Sequence, residues 1–281
     1  MENNVLNGKQ VAEQTTTRLK RHFRNYPTTK KLVIVSAGDD YGSKVYCNMK
    51  KKRAEEIGIP CTVLHFDNDV TQDRLESAIR ALVENKDVAG IMIQHPLPKH
   101  LDEQRCFNLI PPQKDVDGLS SRSLGLLMQN KPVFVPATAL GIMELFKAYD
   151  IDLVGKTVLM IGKSQIVGLP LSVMLMQAGA TVTVAHSRTK NLPDMVKDFD
   201  AVIVAIGKPE FVKADWFREG QIIVDAGYNA GNVGDVDHLA YEKASFYTPV
   251  PGGVGPMTIA SLMTQTAQAI SFSKKKKVIE N

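Results

Sequence analysis

The chain has 281 residues, 44% hydrophobic and 23% charged, enough for one large or two medium domains of ordinary globular composition. No apolar run reaches the roughly 18 to 20 residues that span a bilayer, and Met1-Glu2-Asn3-Asn4 lacks the basic and apolar regions of a signal peptide, so a cytoplasmic protein without a membrane partner is expected. The net charge of +4 equals the contribution of the four lysines Lys274 to Lys277, which read as a solvated tail; the remaining near-neutral body gives no reason to expect a nucleic-acid partner.

Apolar β-rich runs alternate with helical patterns along most of the chain. Lys31 to Gly38 reads as a buried strand, and a helix from about Ser43 to Ile57 is ended by Gly58-Ile59-Pro60. Cys61 to Phe66 is the next strand, Val70 to Asn85 an amphipathic helix with Leu75, Ile79 and Leu82 on one side, and Val88 to Ile93 a third strand. The pattern pauses between about Pro98 and Pro136. A second run has strands at Thr157 to Ile161, Thr181 to Ala185, Ala201 to Ile206 and Ile222 to Ala226, then a helix from Met257 to Ser271. This order predicts an α/β protein of two α/β domains with a cleft between them, the second a Rossmann-type doubly wound parallel sheet. The expected boundaries are 1–136, completed by a C-terminal helix at about 257–281, and 137–256. The cysteines Cys47, Cys61 and Cys106 form no C-x-x-C pair and no ligand spacing, so reduced thiols and no metal site are expected.

Ligands of open parallel sheets bind at the carboxyl ends of the strands, so the loops there carry the argument. Strand Thr157 to Ile161 runs into Gly162-Lys163-Ser164-Gln165-Ile166-Val167-Gly168 before a helix. Glycines let such a loop approach a phosphate and a helix start supplies amide donors, although a G-x-x-x-x-x-G loop by itself is equally a plain strand-to-helix turn. The following strand ends at His186-Ser187-Arg188-Thr189. Hydroxyls and a base where NAD enzymes carry an acid suit a ribose 2′-phosphate, with Lys163 nearby, and point to NADP rather than a basic surface turn.

Tyr46 and Lys50 lie four residues apart on the second predicted element and share a helix face, with Ser43 one turn earlier. Such a pair alone is ordinarily a surface feature. Three further segments change its weight: Gln94-His95-Pro96-Leu97-Pro98 after a buried strand, Asp115-Val116-Asp117-Gly118 after Pro111-Pro112, and Thr248 to Thr258, a loop with three prolines and three glycines before a helix. Taken together, Ser43-x-x-Tyr46-x-x-x-Lys50, Gln94-x-Pro96-Leu97-Pro98, Lys114-Asp115-Val116-Asp117-Gly118, Gly162-x-Ser164-x-Ile166-Val167-Gly168-x-Pro170 and the Thr248–Thr258 loop resemble the bifunctional methylenetetrahydrofolate dehydrogenase/methenyltetrahydrofolate cyclohydrolase family, from Leu6-Asn7-Gly8-Lys9 to the last helix.

The resemblance implies an enzyme that oxidises 5,10-methylenetetrahydrofolate with NADP and hydrolyses the product to 10-formyltetrahydrofolate, as a homodimer. It implies a catalytic set of Lys50, Gln94, Tyr46 and Asp117: Lys50 central, Gln94 its hydrogen-bond partner, Tyr46 packed on the aminobenzoyl ring and Asp117 accepting from the pterin. Ser43, Pro251, Gly252 and Gly253 would join Tyr46 and Asp117 in holding tetrahydrofolate derivatives. Gly162, Lys163, Ser164, Ile166, Ser187, Arg188, Gly227 and Thr258 would contact NADP. The first domain would then bind folate and the second NADP. Physical chemistry agrees with this division. Hydride departure is assisted by the adjacent folate nitrogen and needs mainly alignment, whereas hydrolysis of the methenyl cation needs a proton-handling group, and a lysine beside that cation has its pKa lowered.

The sequence departs from the family at Tyr41-Gly42, at His95, at Pro136-Ala137-Thr138-Ala139 and at Lys163 in place of an arginine. Lysine keeps the charge but loses the planar fork, which weakens discrimination for the 2′-phosphate. His95 reads as a local hydrogen-bonding residue rather than a catalytic one. Two alternatives remain: a dehydrogenase-only relative, possibly NAD-dependent, and a folate- or RNA-binding protein without turnover. Over these 281 residues no formate-ligase activity is expected.

Overall fold

The run Lys31–Ala37 is apolar at nearly every position and buried on both faces, the pattern of a central parallel strand. In the computed structural model, which describes residues 4–279 and the side chains of 4–272, the elements in chain order are α1 (Gly8–Asn25), β1 (Lys31–Ala37), α2 (Tyr41–Glu56), β2 (Cys61–Phe66), α3 (Gln72–Glu84), β3 (Val88–Ile93), α4 (Glu103–Asn108), α5 (Ser121–Met128), α6 (Ala137–Ala148), β4 (Thr157–Ile161), α7 (Gly168–Gln177), β5 (Thr181–Ala185), α8 (Leu192–Val196), β6 (Ala201–Val204), β7 (Gln221–Asp225), β8 (Ala244–Tyr247) and α9 (Val254–Ile279). The side chains of the lysine run Lys274 to Lys277 lie outside the described residues. None of the described helices is long and apolar enough to cross a membrane.

The chain divides into two compact units, one of residues 14–137 with 261 onward and one of residues up to 13 with 138–260. The first unit holds a three-stranded parallel sheet in the order β2-β1-β3. Leu32 and Ile34 of β1 pack with Cys47 and Ala54 of α2, Phe134, and Leu262, Met263 and Ile270 of α9. Gln265 ties that helix in place: its Oε1 accepts from Val135 N at 2.9 Å, and its Nε2 donates to Val116 O at 2.9 Å and Val135 O at 2.8 Å. Helix α2 starts where Asp40 caps it, its carboxylate accepting from Ser43 N at 2.6 Å; α3 is capped likewise by Thr71.

The second unit is a five-stranded all-parallel sheet in the order β5-β4-β6-β7-β8. Strand β4 alternates: Val158 and Met160 enter one core with α6 and α7, Leu159 and Ile161 another with Val196 and Phe217. The order is that of a doubly wound sheet whose switch point lies between β4 and β6. Residues 4–13 cluster with this unit. The reason is backbone pairing: Leu6 N donates to Tyr247 O at 2.7 Å and Tyr247 N to Asn4 O at 2.9 Å, along the β8 edge. A Cβ at Gly8 would sit 1.8 Å from Gly253 O, so glycine alone permits this approach.

Candidate active site

Three features converge at the carboxyl end of the β2-β1-β3 sheet. Helix α2 presents Ser43, Tyr46, Cys47 and Lys50 at helical spacing, with Cys47 and Lys50 buried. Strand β3 leads directly into Gln94, whose backbone N–H donates to Val35 O at 2.7 Å. The segment beginning at Lys114 runs parallel beside β3: Ile91 N donates to Lys114 O at 2.7 Å and Ile91 pairs with Asp115. Gly90 makes this possible, because a Cβ there would lie 2.7 Å from Val116 Cγ1.

Lys50 is 5% exposed, and its Nζ donates to Gln94 Oε1 at 2.9 Å. Gln94 Nε2 donates to His95 O at 2.7 Å, which commits the amide nitrogen and leaves Oε1 facing Lys50. Burial pushes the Lys50 ammonium below its ordinary range, while the Asp117 carboxylate opposes that shift. The same burial raises the Asp117 carboxyl to about 6, against the pull of Lys50 and a 3.4 Å bond from Ala137 N. Lysine and aspartate thus lie in one field, each moved toward its neutral form by loss of water. The Cys47 thiol beside them is also raised by burial, and all three cysteines are buried free thiols.

Asp117 depends on a neighbour the sequence did not single out for itself. Asp115 is buried, and its carboxylate accepts from Ser120 N at 2.9 Å, Ser123 Oγ at 2.7 Å and Leu119 N at 3.3 Å. It pins the turn through Gly118, which has φ +64° and would bring a Cβ within 2.5 Å of the Val135 backbone. His95 makes the local contact expected of it, its Nδ1 lying 2.7 Å from Glu103 Oε2, while Glu103 Oε1 accepts from Leu97 N at 2.5 Å.

The remaining site residues belong to the second unit. Gly162 has φ +128° and a Cβ there would meet Ala205 O at 2.3 Å; one at Gly168 would meet Gly162 O at 2.1 Å. Only glycines allow the β4 loop to fold this tightly at the switch point. Ser164 Oγ accepts from Val167 N at 3.1 Å and Gly168 N at 3.4 Å, capping the start of α7. Lys163, Ser187 and Arg188 are exposed at the ends of β4 and β5, and Ile166 is partly buried. Backbone tightness, hydroxyls and two exposed cations fit a phosphorylated dinucleotide. Gly227 follows β7, its amide donating to Asp225 Oδ1 at 2.9 Å. In the Pro251–Gly253 loop, Gly253 N donates to Pro249 O at 2.8 Å, Gly252 has φ +110° and Pro251 is exposed. Thr258 Oγ1 donates to Thr138 Oγ1 at 3.2 Å. Folding also brings Glu210, Asp237 and His238 together, with ligand atoms within 4.8 Å, although Glu210 lies far from the other two in the chain and the three form no ligand spacing in the sequence.

Comparison with known proteins agrees with this geometry. Residues 6–117 match the model of the tetrahydrofolate dehydrogenase/cyclohydrolase catalytic domain, and residues 136–274 that of the tetrahydrofolate dehydrogenase/cyclohydrolase NAD(P)-binding domain. The chain belongs to the tetrahydrofolate dehydrogenase/cyclohydrolase family. It is 41% identical to a bifunctional protein FolD of Leptospira biflexa, over 96% of each chain. Among solved structures, the bifunctional FolD enzyme of Campylobacter jejuni superposes with a TM-score of 0.91 at 39% identity, covering 95% of this chain and 98% of that one. The Trypanosoma brucei dehydrogenase-cyclohydrolase, solved with NADP cofactor and an inhibitor, gives 0.91 at 32% identity over 96% and 97%. Within this family the Lys50–Gln94 pair stands in the catalytic-domain segment and the Gly162–Gly168 loop in the NAD(P)-binding one.

Proposed function

We propose that this chain oxidises 5,10-methylenetetrahydrofolate to 5,10-methenyltetrahydrofolate with NADP and then hydrolyses the product to 10-formyltetrahydrofolate, with Lys50 as the group that separates the two steps chemically. The observation that carries this reading is the buried Lys50–Gln94 hydrogen bond in the field of Asp117.

The bound dinucleotide supplies the hydride acceptor, held through Gly162, Lys163, Ser164, Ile166, Ser187, Arg188, Gly227 and Thr258. The chain's own task in oxidation is alignment, because the folate nitrogen stabilises the cation that forms. Asp117 accepts from the donor edge of the pterin, Tyr46 packs on the aminobenzoyl ring, and Ser43 and Pro251 to Gly253 complete the contacts. Hydrolysis asks more. Water must lose a proton as it adds to the methenyl carbon, and the ring nitrogen must gain one as its bond to that carbon breaks. Lys50, with its ammonium disfavoured by burial, takes the first proton and returns it to the nitrogen, while the second proton of the added water leaves to solvent as the hydroxyl becomes the formyl carbonyl. Gln94 holds the amine in position through both states.

A spectrophotometric assay with methylenetetrahydrofolate and NADP, then methenyltetrahydrofolate without nucleotide, tests both halves. Oxidation without hydrolysis would favour the dehydrogenase-only alternative. We further propose a cytosolic homodimer, on the composition and the family resemblance; sedimentation equilibrium tests the dimer.

A further inference from the structure

The loop after β6 is held by a side chain outside the dinucleotide set. Asp235 is 0% exposed, and its carboxylate accepts three consecutive backbone amides: Ile206 N at 2.7 Å and Gly207 N at 2.9 Å on Oδ2, and Lys208 N at 2.8 Å on Oδ1. Asn229 Nδ2 adds a bond to Oδ1 at 3.0 Å. Asp235 is itself seated by a second buried carboxylate. Asp225 Oδ1 accepts from Asp235 N at 3.0 Å, and Asp225 Oδ2 from Val236 N at 2.9 Å and Tyr241 OH at 3.1 Å. The fit has no slack: a Cβ at Gly227 would lie 2.2 Å from Asp235 Cγ, and one at Gly234 2.0 Å from Asp225 Oδ2. Two neighbouring buried carboxylates are costly, and only this number of donors offsets the cost.

What the clasp holds is one wall of the switch point. Ala205 N donates to Ile161 O at 2.9 Å, and Ala205 O is the atom that forbids a Cβ at Gly162. The β4 loop and the β6 loop therefore lean on each other where doubly wound sheets take their ligand. Three successive amides aimed at one point make an anion nest, here filled by the protein's own carboxylate. These amides are thus spent on fixing the path of the loop.

We propose that Asp235, seated by Asp225, is a positioning residue for the dinucleotide: it sets the β6 loop against Gly162 and so shapes the cofactor crevice without touching the cofactor. This rests on the reading that the second unit binds NADP. Asp235→Asn keeps the shape but removes the charge and turns an NH₂ donor toward amide donors. Dinucleotide binding, followed by calorimetric titration with NADP, should weaken about tenfold or more. Hydrolysis of methenyltetrahydrofolate, which consumes no nucleotide, and the folate Michaelis constant should stay within about twofold. The milder Asn229→Ala removes one donor and should shift NADP affinity the same way by a smaller factor, which keeps the test open if Asp235→Asn folds poorly. Unchanged NADP affinity in both variants would overturn the proposal, as would parallel loss of both activities and of folded protein. If the unaltered protein hydrolysed methenyltetrahydrofolate but bound no NADP, the functional reading of the second unit would fall with it.

Discussion

Lys50 Nζ and Gln94 Oε1 lie 2.9 Å apart although 44 residues separate them in the chain, because α2 and the residue after β3 meet at the carboxyl end of one sheet. Both side chains are nearly water-free. Residues joined this way act as a unit. Gln94→Ala should therefore lower hydrolysis by roughly 10- to 100-fold, and adding it to a Lys50 variant should cost little more. Single and double variants assayed side by side show this; full additivity of the two losses would separate Gln94 from Lys50.

Asp117 links the site to pH. Its carboxyl is raised to about 6 by burial, so it is ionised above that pH and protonated below. A neutral carboxyl accepts poorly from the donors of a pterin. The folate Michaelis constant should rise as pH falls through about 6, and Asp117→Asn should raise it at every pH while flattening that limb. Dinucleotide affinity should stay near normal. Equal weakening of both ligands would assign Asp117 to folding instead.

Lys163 and Arg188 are exposed cations at the ends of neighbouring strands, with no acidic partner among the described residues. Replacing either by Ala should weaken NADP by roughly tenfold or more while sparing NAD. Comparing kcat/KM with the two nucleotides reads this directly, and an unaltered enzyme that preferred NAD would contradict it.

Gly118 couples stability to substrate binding. Its φ of +64° and the 2.5 Å approach of a Cβ to Val135 leave no room for Gly118→Ala. The substitution should cost about 2 kcal/mol, lowering Tm by roughly 4 to 8 °C, and should raise the folate Michaelis constant by moving Asp117. Calorimetry with steady-state kinetics checks both.

Much of this was readable from the residues because the central strands are apolar throughout. Cys61–Phe66, Val88–Ile93, Thr157–Ile161 and Thr181–Ala185 end where the pattern of the sequence ends them. Helix α1 escaped because its buried stripe, Ala12, Thr15, Thr16, Leu19 and Phe23, includes two threonines, which read as polar. Thr16 earns its place as an acceptor for Arg53 at 2.8 Å. Helix α6 was lost behind Pro136, and β8 is only four residues long. At the site, motif residues were legible by type and order. Their supports were not, since Asp115, Asp235 and Gln265 act through backbone amides that only the fold brings within reach.

One pair of variants tests the role of Lys50 most directly. Lys50 is 5% exposed, whereas the neighbouring Lys51 is more accessible and lies 3.8 Å from Glu55 in an i,i+4 pair. Lys50→Met keeps much of the side-chain volume but carries no proton. Acid–base work of this kind is worth roughly 10²- to 10⁴-fold. Hydrolysis of methenyltetrahydrofolate by Lys50→Met should therefore fall to background while measurable dehydrogenase activity remains, and Lys51→Met should behave as the unaltered enzyme. Near-normal hydrolysis by Lys50→Met, or equal losses in the two variants, would contradict the account.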